Sequence, residues 1–140
     1  MPNALVPELA VSDWQVSRRF YCSDLGFEVR YERPEEGFSY LTLGQAELMI
    51  DQIGLGRTFG NGHRPIRYPF GKGLNLQIRV DAVAPLLAAL AEAQAPLVLP
   101  LEERWYEAGA VELGNRQFVV PDPDGYLLRF FEDMGKRPRA

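Results

Sequence analysis

The chain has 140 residues, about one domain's length and enough to bury a sizeable core. With 46% hydrophobic and 24% charged residues it is neither disordered nor collagen-like, and no apolar run approaches the roughly 18 residues of a membrane helix. Fifteen basic against nineteen acidic residues give a net charge of −4, the wrong sign for holding nucleic acid through phosphates, while positively charged small ligands stay open. One cysteine, Cys22, forms no internal disulfide, and the N-terminus lacks the charged-then-apolar pattern of a secretion signal, so a cytoplasmic location is expected.

Leu5 to Val11 reads as a strand. Ser12-Asp13 offers an N-cap for a helix from about Trp14 to Asp24, with Trp14, Val16 and Phe20 inward and Arg18 and Arg19 outward. Leu25-Gly26-Phe27 reads as its stop. Three strands follow at Phe27 to Glu32, Phe38 to Leu43 and Glu47 to Ile53, with turns at 34–37 and 44–45. Residues 54–73, rich in glycine and carrying Arg57, His63, Arg64, Arg67 and Lys72, read as a loop joining two halves. The order then repeats. A strand at Leu74 to Val80 leads to an N-cap candidate, Asp81, a helix from Ala82 to Ala95, and strands near Leu97 to Leu101, Arg116 to Val120 and Tyr126 to Glu132. Between the last three strands, Trp105 and Tyr106 fall at the start of a long loop, with an amphipathic strand with a solvated outer face as the alternative for 101–107 and a core or dimer-interface role as the alternative for Trp105. The expected fold is α+β, with two tandem βαβββ modules forming a curved mixed sheet cup, module 1 at about 5–53 and module 2 at about 74–133.

Alternation assigns faces. In 74–80 the even positions are apolar and Asn75, Gln77 and Arg79 point the other way; Leu48 and Ile50 oppose Glu47, Met49 and Asp51; Leu128 and Phe130 oppose Leu127, Arg129 and Phe131. One face therefore packs on helices, and the other mixes charges and amides with Met, Phe and Leu. A ligand surface or a plain solvated face both suit that composition. The single histidine, His63, sits in the Gly/Pro-rich loop and reads as solvated rather than catalytic. The glycines at 54, 56, 60 and 62 match neither a P-loop nor a dinucleotide fingerprint.

The paired modules, Val-Ser-Asp (11–13), Asp-Leu-Gly-Phe (24–27) and Asp-Pro-Asp-Gly-Tyr (122–126) together resemble the vicinal oxygen chelate, or glyoxalase/bleomycin-resistance, superfamily over nearly the whole chain. The Asp-Pro-Asp-Gly stretch suits a structural turn, since proline presets φ and glycine permits a positive one. Metal-dependent members of that family bring a His, Gln or Glu from each of four strands to a divalent ion. The resemblance puts those positions at Val6, Asp51, Asn75 and Arg129. Valine has no donor and arginine is a permanent cation, so no metal, no other cofactor and no catalytic residue is expected. An ion pair between Asp51 and Arg129 would suit such a site. Leu-Met-Ile-Asp (48–51) and 122–129 resemble the metal-free bleomycin-resistance branch, whose members are homodimers that capture a planar cationic drug in clefts between subunits.

The resemblance thus implies a cytoplasmic, drug-binding, antibiotic-resistance protein with a small-molecule ligand and neither nucleic-acid nor membrane partners. Stacking rings and attracting carboxylates are what such a ligand needs. The candidate ligand-binding residues are Phe38, Tyr40, Met49, Asp51, Asn75, Gln77, Glu103, Trp105, Tyr106 and Arg129, with Glu102, Glu107 and Glu112 adding negative charge. Leu113-Gly114 stands where that branch commonly has Trp-Gly. The alternatives are an enzyme of the same fold, a lyase, isomerase or dioxygenase with Asp51 or Glu8 as general base, and an interaction module with an empty cup.

Overall fold

A computed structural model describes residues 2–56 and 66–140; Arg57, Gly60, Gly62, His63 and Arg64 lie outside the described residues. The chain forms two compact units: Met1–Lys72 with Asp122–Tyr126, and Gly73–Pro121 with Leu127–Ala140. Each contains one βαβββ module built on a mixed four-stranded sheet. No helix among the described residues is long and apolar enough to cross a membrane.

In the first unit, β1 (Glu8–Val11) runs parallel to β4 (Ala46–Gln52), and β3 (Phe38–Leu43) and β2 (Glu28–Arg33) continue the sheet antiparallel. Asp13 is the N-cap of α1 (Trp14–Arg19), its Oδ1 accepting from the amides of Gln15 and Val16 at 3.0 and 3.2 Å. Two orphan donors of the first turn are thereby satisfied. The helix continues to Asp24 as a π-turn, closed by the Leu25 amide on the Phe20 carbonyl at 3.1 Å. Its inward stripe is Ser17, Phe20, Tyr21 and Leu25, not Val16, which is 42% exposed. Small Ser17 admits the helix close to the sheet, which a hydrophobicity reading of the sequence passes over. Leu9, Val11, Leu41, Leu48 and Ile50 form the sheet's buried face, each about 1.5–3 kcal/mol of burial.

The Asp122–Tyr126 turn belongs to this unit and is bonded into it. Asp122 accepts from the Tyr21 hydroxyl at 2.7 Å and from the amides of Asp124 and Tyr126, both at 2.9 Å. Asp124 accepts from the Ser12 hydroxyl and amide at 2.5 and 3.1 Å, and the Tyr126 hydroxyl donates to the Ala10 carbonyl at 2.9 Å. Gly125 has φ of +97°, and a Cβ there would stand 2.7 Å from the Pro69 ring, so glycine is required twice over.

The second unit orders its strands β5-β8-β7-β6, with β5 (Asn75–Arg79) parallel to β8 (Leu127–Pro138) and the rest antiparallel. Its core joins Ile78, Val83, Leu86, Leu90, Phe118, Val120, Leu128 and Phe130. The rings of Phe118 and Phe130 stack at 5.6 Å.

Three sequence expectations are corrected here. Helix α2 (Ala84–Glu92) starts at Val83 rather than Asp81, and no side chain of the cap residue bonds the first turn. The carboxylate of Glu132, from β8, accepts the Val83 amide instead at 3.0 Å, a long-range substitute that local sequence does not reveal. The helix ends before Ala95 because Gln94 takes φ of +56°. The expected loop after 101 is a β-hairpin: β6 (Leu99–Ala108) and β7 (Val111–Pro121) pair along their length, with Trp105 opposite Gly114 and Tyr106 opposite Leu113. Charges on both faces of this ribbon hide the period-2 pattern that marks a half-buried strand.

Candidate functional site

Each sheet has one face against its helix and one free of it. On the helix-free face of the first unit, strand register aligns Glu8 with Met49, Phe38 with Asp51, Tyr40 with Met49, and Tyr31 with Tyr40. Phe38, Tyr40, Met49 and Asp51, four of the candidates, are thus brought onto one surface. Tyr31, which the sequence reading did not select, joins them because a register shift between Val29 and Tyr31 resets the alternation of β2. Its ring stacks on Tyr40 at 5.3 Å and lies 5.9 Å from Phe38. The Arg33 guanidinium lies 4.1 Å from the Phe38 centroid, and that of Arg30 4.9 Å from Tyr40. Phe38 and Tyr40 are consequently only 4% and 5% exposed, whereas Tyr31 is 48% exposed. Tyr31 is the ring this face presents.

The charges of this face divide into paired and unpaired groups. Glu47 accepts from the Tyr40 hydroxyl at 2.7 Å and pairs with Arg30 at 2.6 Å, and Arg33 pairs with Glu36. Glu8 and Asp51 make no ion pair among the described residues. Burial pushes the Glu8 carboxyl above its usual range, and the charge of Asp51 adds to it against the opposing pull of Arg33. Asp51 is raised too, by burial and then by Glu36. A cation brought to this face would lower the cost of ionising both carboxylates.

In the second unit, the helix-free face holds a cavity of about 440 Å³. The candidates Gln77, Tyr106 and Arg129 line it, as do Arg79, Leu113, Asn115, Phe131 and Asp133. Asn75 sits one residue pair along β5, opposite Leu127. Leu113 is a wall of this cavity. The Tyr106 hydroxyl accepts from Gln117 Nε2 at 2.7 Å, which leaves its proton free to donate.

Glu103 and Trp105 take the other side of the sheet. Residues adjacent on a strand face opposite ways, so Trp105 and Tyr106 do not share a surface. Glu103 pairs with Arg116 at 3.2 Å, and the Trp105 indole covers Gly114 with the Arg137 guanidinium 4.1 Å from its centroid. A Cβ on Gly114 would come within 2.8 Å of that indole. Gly114→Ala is expected to lift the ring, red-shift tryptophan emission and cost about 1 kcal/mol, the scale of an exposed cation–π contact plus mild overpacking. Unchanged emission would show the ring already free.

The metal positions implied by the family do not fit a divalent cation. Val6 precedes β1 and has no donor atom, Asn75 is neutral, and Arg129 carries a positive charge. Asp51 is the one good oxygen ligand. Among the described residues no group of three or more His, Cys, Asp or Glu is placed to hold a metal. Asp51 belongs to the first unit and Arg129 to the second, and each is described within its own.

Paired βαβββ modules with helix-free sheet faces define a class of small-molecule-binding and catalytic folds. The model of the Glyoxalase/Bleomycin resistance protein/Dioxygenase superfamily matches residues 4–130, and the chain belongs to that family. A superfamily member from Vibrio splendidus 12B01 is 39% identical, with 91% of this chain and 97% of that chain covered and a TM-score of 0.41. TioX from Micromonospora sp. ML1 is 22% identical, covering 94% of this chain and 99% of its own, at a TM-score of 0.70. TnmS3, an antibiotic binding protein from Streptomyces sp. CB03234, is 22% identical, covering 95% and 98%, at 0.61. The last two likenesses are of fold. No curated protein matches the sequence.

Proposed function

We propose that this chain is a metal-independent binding protein that sequesters a cationic aromatic compound, such as an antibiotic, one molecule per chain. The observation that carries the reading is the first unit's helix-free face, which holds both the half-exposed Tyr31 ring on β2 and, across β3 at roughly 10–14 Å by strand spacing, the carboxylates of Glu8 and Asp51, unpaired among the described residues. A planar cation would stack on the ring and meet the carboxylates at its charged end. Capture needs affinity and no reacting group, so the missing metal ligands cost it nothing. The same fold serves antibiotic binding in TnmS3. A homodimer is the proposed form, with a second chain closing over the ligand, and a reduced Cys22 suits action in the cytoplasm.

Isothermal titration with metal-free bleomycin tests the reading. Saturable binding at micromolar affinity or tighter is expected, weakened about tenfold by Asp51→Asn, a loss worth about 1.4 kcal/mol. Because the carboxyls of Glu8 and Asp51 are both raised, affinity should also fall as pH drops, starting above the ordinary carboxylate range. No heat and no stabilisation by the drug would sink sequestration of this class. The same raised carboxyls favour one second reading, an enzyme with Asp51 or Glu8 as general base. Heat that continues after saturation would select it.

A further inference from the structure

We infer that the cavity of the second unit binds an organic oxyanion, a carboxylate or phosphate carried on a flat apolar body. This ligand class is opposite in charge to the one proposed for the first unit's face, and the inference stands on separate residues.

The first observation is how the second unit distributes its arginine partners. Arg116 pairs with Glu103 and Glu132, Arg137 with Glu112, and Arg139 with Glu107, at distances from 2.8 to 3.2 Å. Arg79 and Arg129, which line the cavity, have no carboxylate partner among the described residues. Asp133, the one acid in the lining, already accepts the Gly135 amide at 2.7 Å. Glu102, opposite Gln117 on the same face, accepts from Gln117 Nε2 at 2.8 Å. The cavity therefore carries a net positive charge inside a chain whose total is −4.

The second observation is Arg129 itself. Its Nε is buried and has no hydrogen-bond acceptor among the described residues. Buried donors are ordinarily paired, and an orphan needs an explanation. A guanidinium offers carboxylate or phosphate a two-toothed edge made of Nε and the adjacent Nη. Among the described residues nothing accepts from Nε, and Arg129 lines the cavity. The Tyr106 hydroxyl, already accepting from Gln117, has its own proton to give to the same anion.

Shape and polarity set the rest of the ligand. Phe131 and Leu113 supply apolar walls, and about 440 Å³ is the size of a small-molecule site. A one- or two-ring aromatic acid meets both requirements, while an inorganic ion would leave the apolar walls wet.

Titration of the full chain with 2-naphthoate, 2-naphthyl phosphate and the neutral 2-naphthamide decides the matter. At least one anion should bind saturably, one per chain and about tenfold or more tighter than the amide, and which anion wins separates an organic acid from a phosphate monoester. Arg129→Gln should remove that preference while leaving amide binding in place. Should Arg129→Gln fail to fold, Arg79→Gln, at an exposed position, should weaken the anion several-fold. Equal affinity for anion and amide, no anion binding, or an anion preference undiminished in a folded arginine variant overturns the inference. A failed bleomycin titration leaves it standing, since the two probes read different faces.

Discussion

Asp122→Asn should stabilise the protein by about 1–2 kcal/mol at pH 7 and leave it nearly unchanged at pH 4. Burial is the first cause that pushes this carboxyl up to about 6, against the bonds it accepts from Tyr21, Tyr126 and Asp124, with the Asp124 charge raising it further. From the usual aspartate value of 3.8, a rise to about 6 is worth roughly 3 kcal/mol of preference for the neutral form. The folded state therefore binds the proton more tightly than the unfolded chain. Its favourable contribution is complete below the unfolded value of 3.8 and is lost as pH rises through about 6. Asparagine is neutral at every pH and keeps Oδ1 for the amides of Asp124 and Tyr126, but it meets the Tyr21 hydroxyl with an NH₂, which takes back about 1 kcal/mol. Asp122→Ala behaves differently, because it leaves three buried donors without an acceptor. Asparagine already lacks the acceptor for Tyr21, so at about 1–3 kcal/mol for each of the other two donors the alanine variant should fall at least about 2 kcal/mol below the asparagine variant at both pH values. Urea denaturation of the three proteins at pH 4 and 7 measures this. A gap between native and asparagine proteins that does not widen with pH would refute the ionised, buried carboxylate.

That turn shows what a sequence does and does not disclose. Pro123 and Gly125 mark it as a turn through backbone chemistry alone, and that much is local. Its bonds to Ser12, Tyr21 and Ala10 span more than a hundred residues, and no period or spacing encodes them. The same division holds for the sheet faces. Strict alternation in 74–80, with the same period of two carried onto 127–131, made Gln77, Arg79, Arg129 and Phe131 legible as one surface, and the cavity is lined by all four. Alternation was equally available for 102–106 and, once the strand is recognised, separates Trp105 from Tyr106. Charges on both faces left a loop and an amphipathic strand both open there, and the loop reading put the two rings together. Tyr31 was illegible for another reason: a bulge in β2 changes which residues face the aromatic strip, and nothing local in 28–33 marks it. The sequence's strongest negative signal, an arginine at a family metal position, now has a structural counterpart in a guanidinium without a carboxylate partner among the described residues.

Adjacent phenylalanines on β8 allow stability and binding to be separated. Phe130 is fully buried, stacked on Phe118 on the helix side of the second unit's sheet, while Phe131 is half-buried and faces the cavity. Phe130→Ala removes a whole ring from a core that cannot refill the space, and should cost about 3–5 kcal/mol. Against a typical domain stability of about 5–15 kcal/mol, that loss puts the second unit near the edge of folding. Phe131→Ala deletes a ring of the same size from a wall that already meets solvent, and should cost about 1 kcal/mol, since little cavity is created in the core. Its effect belongs to the ligand. The aryl anion loses its stacking surface and should bind several-fold more weakly, with the preference for anion over amide intact because both arginines remain. Thermal unfolding of the two variants, with 2-naphthoate titrated into each at a temperature where it is folded, separates the roles. If Phe131→Ala destabilises as much as Phe130→Ala, the two faces of this strand are both core, and a cavity for a ligand on one of them is untenable.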